Sequence, residues 1–258
     1  MDDLKRQEIY QDELFEKAEL RNFFNNKTEG VCVEVGSNEP VAVESQSFHF
    51  ENNLNWKCYL IEPNPKLVKK TNQLRPKTSI INCACVDKID HDSTVTLYVP
   101  LNPDTSEEVS GHAAIQKNID EHNYKNFEEI VVKGYSLTNI LRKFNVKNID
   151  LLSIDVEGYE YEVLRGLDFT LYHPKLILLE DKNLYLRKHK YLLSNGYKLC
   201  RRLNRNYWYV DKNIHCPNIS LSEKIRLFKR IYLSIWFNKI KYSIRHKTFD
   251  PFRHILER

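Results

Sequence analysis

The sequence predicts an α/β fold in which a mostly parallel, doubly wound sheet carries helices on both faces. Two observations support this prediction: short apolar runs alternate with stretches of helical periodicity, and several of those runs end in an acidic residue. The chain has 258 residues, of which 41% are hydrophobic and 29% charged, so it is long enough to bury one such core. Its 12% aromatic content argues against disorder, and no apolar run approaches the ~20 residues of a membrane helix.

The first half of the chain predicts one helix and three core strands. Residues 3–26 have the pattern of an amphipathic helix, with Asp2 or Asp3 as its cap. Its apolar residues near one face are Leu4, Ile9, Leu14, Phe15, Ala18 and Phe23. The predicted strands are Val31–Val35 before Gly36, Lys57–Glu62 before Pro63 and Pro65, and Ser79–Val86.

The second half predicts two further core strands and several short elements. Thr94–Val99 and Ile130–Tyr135 have the pattern of antiparallel or edge strands around a polar loop, 102–126. Gly166 is expected to end a helix over 158–165 as the glycine after its C-cap. The remaining predicted elements are a helix Leu137–Phe144, core strands Ile149–Asp155 and Lys175–Glu180, a helix Asn183–Ser194 before Gly196, and a hairpin of Tyr197–Leu203 with Tyr207–Asp211.

Charge is distributed unevenly and suggests three parts: an N-terminal helix (1–28), a central domain (29–215) and a basic C-terminal extension (216–258). Residues 221–258 hold ten Lys and Arg against three Asp and Glu, whereas the rest of the chain has a net charge of −3. A body of that charge argues against a protein that binds nucleic acid over its whole surface.

The extension contains a predicted basic amphipathic helix, Leu221–Tyr242. Its apolar face holds Leu221, Ile225, Phe228, Ile231, Tyr232, Ile235 and Trp236. Arg226, Lys229, Arg230 and Lys241 fall on the opposite face, while Lys224 and Lys239 interrupt the pattern. A basic helix with aromatic residues suits peripheral contact with an anionic membrane. The alternatives are a helix docked on its own body or on a second subunit.

The six cysteines, Cys32, Cys58, Cys83, Cys85, Cys200 and Cys216, contain no C-x-x-C pair. They are expected to be reduced thiols rather than zinc or redox ligands. The acidic start Met1-Asp2-Asp3 does not resemble a signal peptide. We therefore expect a cytoplasmic protein, with peripheral membrane contact through 221–242 as an option.

Acidic residues end three of the core strands: Glu62, Asp155 and Glu180. In open α/β sheets, ligands bind outside this edge, where the strand order reverses. Carboxylates gathered there favour a ligand that carries hydroxyl groups or a positive charge. A divalent metal held by Asp155 and Glu180 is one further possibility.

The first strand ends in Glu34-Val35-Gly36-Ser37-Asn38, where Gly36 permits close backbone approach to a ligand. Neither the G-x-G-x-x-G fingerprint nor a P-loop is present, which argues against a pyrophosphate site. Glu62, 28 residues after Glu34, is placed to accept both hydroxyls of a ribose. A ribose site without a pyrophosphate turn points to S-adenosylmethionine.

Two more segments hold candidate catalytic groups. Asp155-Val156-Glu157-Gly158 ends the fourth strand, where Asp155 and Glu157 either cap the next helix or face the reacting centre. His112 lies in the polar loop, where it is either a general base for an alcohol or a solvated histidine.

Two sequence blocks resemble the FkbM-type S-adenosylmethionine-dependent methyltransferases. The first runs from Val33-Glu34-Val35-Gly36-Ser37-Asn38 to Leu60-Ile61-Glu62-Pro63-Asn64-Pro65 and Asn82-Cys83-Ala84. The second, more specific block is Ile149-Asp150-Leu151-Leu152-Ser153-Ile154-Asp155-Val156-Glu157-Gly158-Tyr159-Glu160, followed by Val163-Leu164-Arg165-Gly166-Leu167. Together they span roughly residues 30–181.

This resemblance implies a Rossmann-like methyltransferase fold and methyl transfer to a hydroxyl, usually on a sugar or natural product. It implies that Glu34, Gly36 and Asn38, with Ser37 in the same motif, hold the methionine end. It places the ribose at Glu62, the adenine beside Ala84, and the reacting centre at Asp155 and Glu157. One departure is Asn38-Glu39-Pro40, where the family has Asn-x-Gly; proline forbids a positive φ, so the turn must differ in shape.

The sequence therefore predicts an O-methyltransferase that acts on a sugar hydroxyl in glycan or polysaccharide synthesis. Its acceptor is expected to be a nucleotide sugar or a lipid-linked glycan, and a homo-oligomer is possible. Two alternatives stay open: an RNA methyltransferase that binds through the basic tail, and a non-catalytic binding module with the same fold.

Overall fold

The apolar runs form two β-sheets in a computed structural model, which describes residues 3–43, 45–87, 93–109, 111–115, 124–180, 186–233 and 237. The large sheet consists of β1 (Val31–Val35), β2 (Lys57–Glu62), β3 (Ser79–Asn82), β7 (Leu151–Ile154), β8 (Leu176–Glu180), β9 (Tyr197–Leu203) and β10 (Asn206–Asp211). The small sheet consists of β4 (Ala84–Val86), β5 (Ser93–Pro100) and β6 (Phe127–Ser136).

The large sheet has the strand order β3-β2-β1-β7-β8-β10-β9. Every neighbouring pair is parallel except those of β10, which is antiparallel to both β8 and β9. The order reverses between β1 and β7, so their carboxyl ends form the edge where a ligand is expected. The predicted mostly parallel, doubly wound sheet is confirmed, as is the predicted hairpin at its end.

Helices cover both faces of this sheet. They are α1 (Asp3–Phe23), α2 (Gln46–Leu54), α3 (Pro65–Leu74), α4 (Leu137–Lys143), α5 (Glu160–Arg165), α6 (Leu186–Ser194) and α7 (Leu221–Phe228), with a π-helical turn at Lys229–Leu233. One core contains Leu20 of α1 and Phe50 of α2. The other contains residues of α4, α5 and α6. Among the described helices, none combines the length and apolar character of a membrane-spanning helix.

The predicted strand Ser79–Val86 is wrong as a single element, because it divides at Cys83 into β3 and β4. The Asn82 side-chain amide donates to the carbonyl oxygens of Glu62 and Pro63, at 3.0 and 2.7 Å, where β3 ends. The chain then enters the small sheet, in which β4 is parallel to β6. The predicted antiparallel pairing of β5 with β6 is confirmed over eight residue pairs.

The predicted apolar face of α1 is wrong except at Phe23, which packs against the core. Leu14, Phe15 and Ala18 are exposed, and the buried positions include Glu16 and Lys17. Glu16 faces β10, where its carboxylate accepts hydrogen bonds from Trp208 Nε1 at 2.9 Å and Asn206 Nδ2 at 2.8 Å. A buried acid with side-chain donors therefore replaces the expected apolar contact. Asp2 and the side chains of Leu4 and Ile9 lie outside the described residues.

Two expectations around α5 also need correction. The helix begins at Glu160 rather than at residue 158, and its N-cap is Tyr159. Gly166 is the C-cap itself, with a φ of −71°, rather than the glycine after the C-cap. A Cβ at Gly166 would lie 2.4 Å from the carbonyl oxygen of Val86, so glycine allows close packing of α5 against β4. The predicted start of α6, residues 183–185, lies outside the described residues.

The expectation of six reduced cysteines is wrong for Cys200 and Cys216, which form a disulfide bond. Their Cα atoms are 5.5 Å apart, because β9 brings Cys200 beside the segment that follows β10. Cys32, Cys58, Cys83 and Cys85 are free and buried, as predicted.

The helix predicted over Leu221–Tyr242 is shorter where the structure describes it. Its α-helical part ends at Phe228 and passes into the π-helical turn, which ends at Leu233. Ile231 is buried in the core with Tyr207 and Leu192, so this part of the extension is docked on the body. Residues 234–236 and 238–242, with Ile235, Trp236, Lys239 and Lys241, lie outside the described residues.

Candidate active site

A pocket opens at the carboxyl ends of β1, β2 and β7, the edge that the strand order predicts. It holds about 950 Å³ of space between protein atoms, part of it continuous with solvent. Gly36, Asn38, Glu62, Ala84, Asp155 and Glu157 line it, so the structure brings six of the predicted site residues together.

Gly36 allows the two central strands to approach each other at the base of the pocket. Its φ is +81°, and an added Cβ would lie 1.7 Å from the carbonyl oxygen of Asp155. Its N–H donates to the carbonyl oxygen of Ile61 at 2.9 Å, while the Asp155 N–H donates to Val35 at 3.0 Å. A side chain here would therefore separate β1 from β7.

Glu62 is a buried carboxylate whose oxygens are held by two backbone amides. The N–H groups of Asn38 and Asn64 each donate to it at 2.9 Å, one to each oxygen. Burial raises the pKa of Glu62 to about 7, although both hydrogen bonds act to lower it. Each carboxylate oxygen can accept more than one hydrogen bond, so the ionised group retains capacity for two ligand hydroxyls.

The turn that follows β1 shows how the chain accommodates Pro40. Asn38 has a φ of +45°, so it adopts the left-handed conformation itself, which asparagine tolerates. Pro40 is buried, and its carbonyl oxygen accepts a hydrogen bond from Arg75 Nη1 at 3.1 Å. Arg75, the C-cap residue of α3, therefore helps to fix the backbone turn that places the Asn38 N–H against Glu62.

An apolar wall lines part of the pocket and comes mainly from the small sheet. Leu97, Val99 and Ala114, with Ala84 beside them, are buried and line the pocket. Cys83 and Cys85 also line it, and burial raises the pKa of both thiols. The wall offers a flat aromatic ring an uncharged surface, and apart from Ala84 its residues were not predicted from the sequence.

A polar cluster that was not predicted from the sequence lies beside Glu62 and lines the pocket with Asn64 and Glu108. Asn64 caps α3 and donates through Nδ2 to Glu108 Oε2 at 3.1 Å. Lys66 forms ion pairs with Glu108 and with Glu128, the latter at 2.9 Å. Glu108 belongs to the segment between β5 and β6, so the cluster ties this segment to the start of α3. Asn64 before Pro65 is a recognisable helix start, whereas Glu108 has no comparable sequence signal.

Asp155 and Glu180 form a hydrogen-bonded carboxyl pair where β7 and β8 end. Burial raises the pKa of Asp155 well above its usual range, and the nearby carboxylates of Glu180 and Glu157 add to this. Two neighbouring carboxyls do not ionise easily together. Among the described residues, no group of three or more His, Cys, Asp or Glu is placed to hold a metal ion.

The helix-capping alternative for Asp155 and Glu157 is wrong. α5 begins at Glu160, and its N-cap Tyr159 makes no side-chain cap hydrogen bond. Instead, Glu157 adopts the left-handed conformation, with a φ of +50°, and it lines the pocket together with Asp155. Because capping does not account for these two carboxyls, a role at the pocket becomes the better interpretation.

Three other predicted residues lie beside the pocket rather than in its described lining. The Glu34 carboxylate is buried and accepts hydrogen bonds from Ser45 Oγ at 3.0 Å, the Gln46 N–H at 2.8 Å and Ser47 Oγ. It therefore holds the start of α2 against β1. Ser37 is buried behind the turn. His112 is half-buried, with its ring centroid 5.8 Å from that of Tyr124, while its neighbours Gly111 and Ala113 line the pocket.

The strand order, the antiparallel β10 and a pocket at the switch point define a Rossmann-like protein with a small-molecule site. The family model for the methyltransferase FkbM domain matches residues 34–199. The chain therefore belongs to the FkbM family of S-adenosylmethionine-dependent methyltransferases, and the resemblance identified from its motifs is confirmed.

Three solved structures are similar to this chain in part. Fibrillarin from Aeropyrum pernix, in complex with natively bound S-adenosyl-L-methionine, shares 12% identity over 71% of this chain and 66% of its own, with a TM-score of 0.40. Precorrin-6y C5,15-methyltransferase from Geobacter metallireducens shares 10% over 75% and 85%, with a TM-score of 0.39. A methyltransferase from Pyrococcus furiosus shares 11% over 77% and 83%, with a TM-score of 0.38. No curated protein sequence matches the chain.

Proposed function

We propose that this protein is an S-adenosylmethionine-dependent O-methyltransferase whose acceptor is a sugar hydroxyl, used in glycan or polysaccharide synthesis. The observation that carries the proposal is the position of Asp155. Asp155 lines the pocket, and its carboxyl has a raised pKa and is not required as a helix cap.

The pocket fits the cofactor that the family uses. Glu62 would accept the ribose hydroxyls, the wall of Ala84, Leu97 and Val99 would pack on the adenine, and Gly36 leaves room for the methionine end. The backbone amides of Asn38 and Asn64 keep the Glu62 carboxylate in place before any ligand arrives. When bound, the cofactor supplies an activated methyl group.

The chain's own contribution to chemistry would be orientation and proton removal. A hydroxyl oxygen that is being methylated must lose its proton, and Asp155 at the end of β7 is the candidate base. Only the ionised form of Asp155 can take this proton; because burial raises the pKa of Asp155, that form is a stronger base than a solvated carboxylate and becomes more populated as the pH rises. Glu157, on the same side of the pocket, can accept a hydrogen bond from a second hydroxyl, which favours a polyhydroxylated acceptor.

Replacing Asp155 by Asn tests this assignment. Asp155→Asn keeps the shape of the side chain but removes the base, so methyl transfer should fall by at least about 100-fold. Cofactor binding, measured by calorimetry, should change far less. Methyl transfer would be followed with radiolabelled cofactor and a panel of nucleotide sugars, lipid-linked glycans and RNA.

Asp104→Asn is the matched control, because Asp104 is exposed on the segment between β5 and β6. It should retain full turnover. Full turnover in Asp155→Asn would remove Asp155 from the chemistry. Transfer to RNA alone would overturn the sugar acceptor and support the nucleic-acid alternative.

A further inference from the structure

Helix α7 turns an apolar ridge away from the protein. Leu221, Ile225 and Phe228 are spaced by four and three residues, so they lie along one side of the helix. Their exposed fractions are 73%, 46% and 58%, and α7 contains no buried residue. Of the predicted apolar face, Ile231 is docked on the body, whereas Leu221, Ile225 and Phe228 face away from it.

Contacts on the other side of α7 and in the π-helical turn hold the ridge outward. Glu223 forms an ion pair with Arg201 of β9 at 3.4 Å. Arg230 Nε donates to the Tyr207 hydroxyl at 2.9 Å, and Ile231 is buried in the core. The orientation of the helix is therefore fixed by three separate contacts with the body.

Two lysines border the ridge. At 100° per residue, Lys224 and Lys229 lie about 70° to either side of its centre, and both are exposed. Lys224 interrupts the amphipathic pattern if the apolar face points inward, but it fits an outward face with cations along both borders. Long lysine side chains can place their charged ends in a headgroup layer while the ridge enters the acyl boundary below.

We propose that this ridge, Leu221, Ile225 and Phe228 with Lys224 and Lys229, is a membrane-binding surface that docks on anionic lipid. Charge complementarity decides among the possible occupants. Residues 221–233 hold four Lys and Arg against one Glu, a net charge of +3, which repels the same surface on a second copy and attracts acidic headgroups. A nucleic acid would contact the lysines but would leave the ridge in water.

The segment that follows α7 is attached to the body close to Glu180, near the candidate site. Tyr207, which binds Arg230, pairs with Leu179, the residue before Glu180. The surface is thus anchored at the edge of the sheet that carries the candidate site.

Vesicle flotation of the full chain tests the proposal. Vesicles of equal parts phosphatidylglycerol and phosphatidylcholine should float the wild type, whereas pure phosphatidylcholine should not. Phe228→Ser and Ile225→Ser should each reduce the bound fraction. The double variant Lys224→Gln, Lys229→Gln should weaken binding about 30-fold, since each cation contributes about fivefold near an anionic surface.

Val131→Ser is the matched control, because Val131 is an apolar residue of β6 with 70% exposure, outside α7. It should bind vesicles as the wild type does, and thermal melting would show that every variant is folded. Absence of flotation with anionic vesicles at low salt would overturn the proposal. So would unchanged flotation of Phe228→Ser, or a stable dimer in solution that Phe228→Ser dissociates.

Discussion

We expect Glu62 to make cofactor binding dependent on pH near neutrality. Its pKa is raised to about 7 because the carboxylate is buried beneath the Asn38 turn. Two ribose hydroxyls would donate to the ionised carboxylate, so the ligand binds most tightly when Glu62 has lost its proton. We therefore expect the affinity for S-adenosylmethionine to rise with pH through this pKa and to fall below it.

The size of the effect follows from the fraction ionised. From one pH unit above a pKa of about 7 to one unit below it, the ionised fraction falls about tenfold. If only the ionised form binds, the dissociation constant rises about tenfold over this range, which corresponds to about 1.4 kcal/mol.

Calorimetric titration of S-adenosylmethionine at several pH values measures this directly, with Glu62→Gln as the control. The amide cannot titrate, so the variant should bind more weakly at every pH but with a flat profile. A residual slope in Glu62→Gln would show that another group in the pocket titrates, and Asp155, whose pKa is raised by burial, is one candidate. A wild type whose affinity is constant across this range, or whose slope equals that of Glu62→Gln, would refute the reasoning.

Two further predictions concern the scaffold. Gly36→Ala should destabilise the protein by at least about 2 kcal/mol more than Gly196→Ala in denaturant unfolding. Both glycines have a positive φ, +81° and +86°, but only at Gly36 would the new Cβ meet backbone, at 1.7 Å from Asp155; equal losses would contradict the close approach of β1 and β7. In the second experiment, four cysteines should react with an alkylating reagent after denaturation and all six after reduction, as counted by mass spectrometry. Six before reduction would show that Cys200 and Cys216 are thiols, as the expectation of a cytoplasmic protein requires.

The central sheet could be predicted because its strands are short apolar runs with clear ends. Val31–Val35 and Lys57–Glu62 appear in the structure with the predicted bounds. The N-terminal helix shows where periodicity fails, since its buried side includes Glu16 and Lys17. Glu16 is stabilised by donors on β10, far along the chain, and no local pattern reports such a partner.

The residues of the candidate site also fall into those that could be predicted from the sequence and those that could not. Gly36, Glu62 and Asp155 could be predicted because each ends a core strand, and such ends meet at one edge of a parallel sheet. Glu108 and the apolar wall could not be predicted, because they come from a second sheet whose existence depends on the break at Cys83. Glu34 was placed correctly on its strand, but its partners Ser45 and Ser47 on α2 became visible only in the fold.

The two proposals bear on each other through the acceptor. If the ridge on α7 docks on anionic lipid, the sheet edge with Asp155 and Glu180 would be held near the membrane, because Arg230 anchors the segment after α7 on Tyr207 at that edge. A glycan attached to a lipid is confined to the same surface, so its effective concentration at the site would exceed that of a soluble nucleotide sugar. Membrane docking would therefore favour the lipid-linked acceptor. If the protein does not bind vesicles, the nucleotide sugar would be favoured instead. The vesicle experiment thus selects the acceptor class with which the methyl-transfer assay should begin.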